Sequence, residues 1–218
     1  MSKNRGKCFI SGALDALLKY NIILSSFLVL STGTYGQSGD DLFGEKLSIE
    51  AIRLTGQEVL YDPGYYSIDY PEGDVPADRG VCTDVVIRAY RAMDIDLQKE
   101  VHVDMVANFE LYPTIWGLSR PDPNIDHRRV PNLMRFFERH GTEKEITADA
   151  GDYFPVDIVC WNLGGAVTHI GIISNRMSTD GLRPKVVHNI GSGQVLEDCL
   201  FDYRIIGHYI YRGNNGTE

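Results

Sequence analysis

The chain has 218 residues, 43% of them hydrophobic and 23% charged, which is the composition of a globular protein and not of a disordered or collagenous one. Lys and Arg number 21 against 30 Asp and Glu, a formal charge of −9; this argues against a nucleic-acid partner, because phosphate binding needs a basic face. Four cysteines without a C-x-x-C pair make neither a disulfide scaffold nor a zinc knuckle, and no metal or cofactor is expected.

Residues 1–36 have the layout of a secretory signal peptide. Lys3, Arg5, Lys7 and Lys19 form a basic leader, Ile22 to Leu30 a short apolar stretch, and Gly36–Gln37 a cleavage point after small residues. The stretch is shorter than a spanning helix needs, so no stable membrane span is expected after cleavage; an uncleaved anchor is the alternative. Cys8 precedes the apolar stretch and is not placed as a lipoprotein cysteine. Export, to the periplasm or beyond, leaves Cys82, Cys160 and Cys199. An odd number in an oxidising compartment leaves at least one free thiol.

Residues 37–46 read as a mobile lead-in, 47–212 as one domain and 213–218 as a tail. Leu47, Ala51 and Leu54 have helical spacing, which predicts a helix over 47–59. Residues 61–80, dense in Pro, Gly, Tyr and Asp, read as a long structured loop. A helix is predicted over 82–93 with Val85, Val86, Ala89 and Tyr90 inward and Asp78 or Thr83 as its cap. Further helices are predicted over 97–109 and 131–140, the second closed by Gly141. From Pro155 the period changes to two, and strands are predicted at 156–161, 168–173, 184–188 and 206–211. Helices followed by an antiparallel sheet make the fold class α+β.

Cys82 stands where a loop enters a helix. Free N–H groups at a helix start stabilise a thiolate and can hold an oxyanion; a small buried cysteine fits the same position. Cys160, mid-strand, and Cys199, in a polar turn, are read as structural. Alternation puts His169, Gly171 and Ile173 on one strand face, with Ile170 and Ile172 toward the core. A hairpin register opposing His169 to His188, and Gly171 to Val186, would let one imidazole orient the other. Nucleophile, base and orienter in that order follow triad logic with cysteine in place of serine.

These residues carry a resemblance. Cys82 opening a helix, DIVCWNLGGAVTHIGII and VVHN resemble the NlpC/p60-type branch of papain-like cysteine hydrolases. YDPGYY, GDVPADRGVCTDVVIRAYRAMDIDLQ, NIDHRRVPNL and HIGIIS resemble more closely a bacterial family catalogued as domain of unknown function 1287, over roughly residues 47–212. The resemblance implies a papain-like fold, N-terminal helices packed on a small antiparallel sheet, with Cys82 as nucleophile, His169 as base and His188 as third polar residue. It implies hydrolysis of an amide bond in peptidoglycan stem peptides. One departure is Val81-Cys82-Thr83-Asp84 in place of Asp-Cys-Ser-Gly, which alters the cleft beside the nucleophile.

Among other polar residues, Asp126, His127 and the arginines after them could line a cleft and grip a carboxylate, or form a solvated loop. Arg79 and Asp84 flank the nucleophile and either tune its charge or pair with each other. Tyr61, Tyr65 and Tyr66 either wall the site or pack the loop. Asn215-Gly216-Thr217 matches a glycosylation acceptor. Rival readings are a zinc hydrolase on His127, His169 and His188, for which no H-E-x-x-H spacing exists, a non-catalytic wall-binding module, and an acyltransferase with the same triad. Nothing in the residues names an inhibitor or immunity partner.

Overall fold

The computed structural model describes residues 39–214, with side chains from Leu42 onward. The leader at 1–36 with Cys8, the Gly36–Gln37 cleavage point and the Asn215 acceptor lie outside the described residues. Helix α1 (Gly39–Leu54) comes first, so the lead-in expected over 37–46 is helical from Gly39 onward, and the helix ends five residues before Val59. Strands β1 (Leu60–Tyr61) and β2 (Arg79–Gly80) form a short parallel pair that closes the long loop at its base. Helices α2 (Cys82–Arg91), α3 (Leu97–Ala107) and α4 (Val130–His140) follow. Strands β3 (Thr142–Glu143), β4 (Asp157–Gly164), β5 (Val167–Met177), β6 (Pro184–His188), β7 (Val195–Glu197) and β8 (Arg204–Ile210) complete the chain.

The last six strands form one antiparallel sheet in the order β3-β8-β4-β5-β6-β7. The fold is α+β, with helices packed on one face of that sheet. Alternation sorts the strand side chains as the period-two rule requires. Ile158, Cys160, Ile170, Ile172 and Val187 join the core under the helices, with Leu47, Val85, Val86, Leu133 and Phe137. Val159, Trp161, Ile173 and Val186 face the other way, against Tyr153 and Leu200.

The predicted inward face of α2 is buried, with Val85, Val86, Ala89 and Tyr90 at 0% exposure. The other residues from Cys82 to Arg88 are buried as well, Thr83, Asp84 and Arg88 among them, so the polar ones must find partners. Arg88 donates to Asp74 at 2.9 Å and to the Arg79 carbonyl at 2.9 Å. These bonds, with Gly73 N–H donating to Gln98 Oε1 at 2.8 Å, hold the loop over 61–80 in place. Helix α4 opens with Pro131 near its start and closes at Gly141, as its sequence requires. Among the described residues no helix is long and apolar enough to cross a membrane.

Candidate active site

Cys82 is the first residue of α2. Neither Asp78 nor Thr83 caps this helix. The Asp84 carboxylate accepts the Val81 N–H at 2.7 Å, and Val81 has no side-chain acceptor to return. Cys82 is 5% exposed. Burial pushes its thiol up to about 12, against the N–H groups of Ile170, Thr83 and Cys82 itself, which favour the thiolate. The Ile170 N–H belongs to the residue beside His169, so the helix start and strand β5 meet at the sulfur.

His169 and His188 project from the same sheet face. His169 Nε2 lies 2.9 Å from His188 Nδ1, with the rings edge to face at 5.1 Å. The register differs from the expected one. Ile172 pairs with Val187 and Ile173 with Val186, which sets Gly171, not His169, opposite His188. An even shift keeps both imidazoles on one face, and they meet diagonally. Gly171 makes this possible by its lack of a side chain, since a Cβ there would lie 3.2 Å from the His188 Cβ. Trp161 stacks at a tilt on His169, centroids 5.7 Å apart, and is anchored by its Nε1 donating to the Leu200 carbonyl at 2.9 Å. Burial lowers His169 to about 3, with His188 adding to the shift. Among the described residues no hydrogen bond joins the Cys82 thiol to either ring; burial makes the resting thiol and imidazole both neutral.

Two residues absent from the sequence-derived site touch His188 from behind. Glu197 Oε2 is 3.1 Å and Cys199 Sγ 3.3 Å from its Nε2. Neither carried a sequence signal: β7 is three residues long, too short to show alternation, and Cys199 follows it in a turn. Asn189, next to His188, donates to the Gly80 carbonyl at 3.3 Å. That bond ties the end of β6 to the loop that delivers Cys82.

The remaining sequence-derived residues divide. Tyr61 stays beside the site: it pairs with Gly80 across β1–β2, and its phenol is raised by burial first and by Cys82 second. Arg79 pairs with Asp62 at 2.8 Å rather than with Asp84. Asp84 and Arg128 form a bidentate ion pair, both bonds 2.9 Å and both side chains nearly sealed from solvent. Asp84 therefore holds the helix start and offers no oxygen to a substrate. Asp126 is buried under its bonds to the Asp122 N–H and Arg129. His127 is 2% exposed, and burial lowers it to about 3. These two are packed residues, not a cleft lining, because a buried polar side chain must be satisfied inside or stay uncharged. His127 also stands apart from His169 and His188, so the three-histidine zinc centre does not assemble. A group of metal-ligating side chains that does assemble is His188, Glu197 and Cys199. Cys82, Cys160 and Cys199 are all free and buried. A cavity of about 550 Å³ lined by Glu72, Asp96, Lys99, Glu100, Asp104 and His140 includes none of the residues singled out from the sequence.

The chain is similar to proteins already known. The chain is 52% identical over 161 residues to the uncharacterized protein YijF of Escherichia coli (strain K12), covering 74% of this chain and 78% of that one. A solved structure of NlpC1 from Trichomonas vaginalis overlaps 77% of this chain at a TM-score of 0.41 and 15% identity; the overlap spans 44% of that protein's chain. The model of the family described as Domain of unknown function (DUF1287) matches residues 48–211, and the chain belongs to that family.

Proposed function

We propose that the protein is an exported cysteine hydrolase that cleaves an amide bond in peptidoglycan stem peptides. The observation that carries the reading is the meeting of a helix-start thiol with the strand that bears His169, whose Nε2 is 2.9 Å from His188 Nδ1. Cys82 is the nucleophile, His169 the base and His188 the orienter. For His169 to act as base its proton must sit on Nε2, donated to His188 Nδ1, which leaves Nδ1 free. His188 then carries its own proton on Nε2, facing Glu197.

Burial disfavours a standing thiolate–imidazolium pair, with the thiol near 12 and His169 near 3. The proton therefore passes to His169 Nδ1 as the C–S bond forms, and the negative charge moves to the carbonyl oxygen. In this reading the Cys82 N–H at the α2 start receives that oxygen. His169 next protonates the leaving amine, and water releases the acyl group from sulfur. Tyr61, 38% exposed beside the thiol, forms the solvent-side wall against which substrate would lie.

The test is incubation of purified sacculi with the wild type and with Cys82→Ala, followed by mass spectrometry of the released fragments. The wild type releases stem-peptide fragments and the variant, folded to the same thermal midpoint, releases none. Equal release by both, or no release by the wild type, removes the proposal.

A further inference from the structure

Behind the imidazole pair, three donors of different chemistry converge. His188 Nε2, a Glu197 carboxylate oxygen and Cys199 Sγ all lie within 4.8 Å of one another, two of the separations being 3.1 and 3.3 Å. Zinc bound to nitrogen, oxygen and sulfur at about 2.0–2.3 Å spaces its tetrahedral ligands by about 3.3–3.8 Å, so small side-chain adjustments would close the shell. The second nitrogen of His188 is already fixed by His169 at 2.9 Å, the kind of outer contact that orients a ligating imidazole. The burial is graded in the sense an open site needs. His188 and Cys199 are 2% and 8% exposed, whereas the Glu197 side chain is 50% exposed, leaving a fourth position toward water.

We propose that His188, Glu197 and Cys199 bind a thiolate-seeking divalent cation, zinc by preference, and that its binding switches the imidazole pair off. An imidazole–thiolate–carboxylate set favours zinc over calcium or magnesium, which take oxygen alone. The effect on the pair follows from proton positions and rests on the hydrolase reading above. With the metal on His188 Nε2, the His188 proton stands on Nδ1 and points at His169 Nε2. His169 must accept it there, and its own proton moves to Nδ1, the nitrogen that the base role needs empty. Both imidazoles stay neutral through this exchange, and the one proton released to solvent is that of the Cys199 thiol.

Binding is measured without turnover, so its outcome is separate from that of the sacculus assay. The full chain, reduced and carrying Cys82→Ala to remove one competing thiol, is titrated with Zn²⁺ against a chromophoric chelator and with Co²⁺ in the spectrophotometer. One ion per chain, a thiolate-to-cobalt charge-transfer band and weakening by at least about tenfold on adding Cys199→Ser, and again on adding Glu197→Gln, are expected. Glu197 is half-exposed, so its variant keeps the test open should Cys199→Ser fold poorly. Zinc affinity unchanged in both variants, or a cobalt spectrum without the thiolate band, overturns the site. In the wild type, release from sacculi should fall along the same zinc curve and return with chelator; release indifferent to saturating zinc overturns the switch.

Discussion

Gly171 stands directly across from His188, and strand β6 closes over the place a side chain at Gly171 would take. A Cβ built there would come within 2.7 Å of Val186 Cγ1, 3.0 Å of the Val187 carbonyl oxygen and 3.2 Å of His188 Cβ. All three of these neighbours belong to β6, and one is its backbone oxygen, so the strand must move to accept even a methyl group. Strand β6 carries His188 at its end, and its displacement would lengthen the 2.9 Å contact with His169.

Gly171→Ala is therefore expected to cost about 1–3 kcal/mol of stability, the range for inserting a methyl into a packed core. It should also lower kcat with little change in KM, because it disturbs the orienting pair and not the cleft. Urea unfolding and steady-state kinetics on released wall fragments check this together. A variant as stable and as active as the wild type would show that β6 can shift freely.

The second prediction concerns the resting thiol. Alkylation needs the thiolate, and burial holds Cys82 near 12. Iodoacetamide should modify Cys82 at pH 7.5 at least about a hundredfold more slowly than it modifies an ordinary exposed cysteine, with the rate still climbing above pH 9. His169→Ala should leave that rate nearly unchanged, because no standing ion pair exists to lose. Peptide mapping by mass spectrometry reads each cysteine separately. Rapid labelling of Cys82 at pH 6–7 would instead mean a preformed thiolate and a different first step.

How far the sequence reached is visible in these same residues. The shared face of His169 and His188 is a period-two property, readable from THIGIIS and VVHN. The register is not local. The antiparallel pairing of β5 with β6 is irregular between Ile173 and Met177, and β5 runs on to Met177 where a loop was expected from Ser174. Since the irregularity moved the pairing by an even step, the imidazoles still met. Glu197 and Cys199 reach His188 through a strand too short to show a pattern. Asp84 looked like a site residue because it stands two positions from Cys82, yet its partner Arg128 is 44 residues away in sequence. Proximity along the chain says little about which face of a buried helix a carboxylate serves.

That ion pair gives the third prediction. Arg128 holds Asp84 with two bonds and also donates to the Gly64 carbonyl at 2.9 Å. Arg128→Met leaves a buried carboxylate without its countercharge, which is expected to destabilise by about 3–5 kcal/mol. Adding Asp84→Asn removes that charge while keeping an oxygen for the Val81 N–H, and should recover part of the loss. Urea unfolding of the two variants decides: a double variant no more stable than Arg128→Met would mean that the loop contacts, not the carboxylate, dominate.

The last prediction is a pH dependence of stability. His127 is buried among Arg128, Arg91, Asp122 and His102, and desolvation first, then the two arginines, lower it to about 3. Its folded value thus lies below the unfolded value of about 6.5. Between these limits the unfolded chain binds a proton that the folded chain refuses, so stability is full above pH 6.5 and is lost as the pH falls toward 3. By pH 4.5 the loss from this one residue is on the order of 2 kcal/mol, and His169, lowered to about 3 for a similar reason, adds a comparable amount. The Nδ1 atom of His127 has no hydrogen-bond partner among the described residues, so an apolar replacement breaks no bond there. His127→Leu should accordingly shrink the difference in unfolding free energy between pH 7 and pH 4.5 by on the order of 2 kcal/mol, while the His169 share persists. Chemical unfolding at the two pH values measures it, and an undiminished difference in the variant would place the acid sensitivity elsewhere.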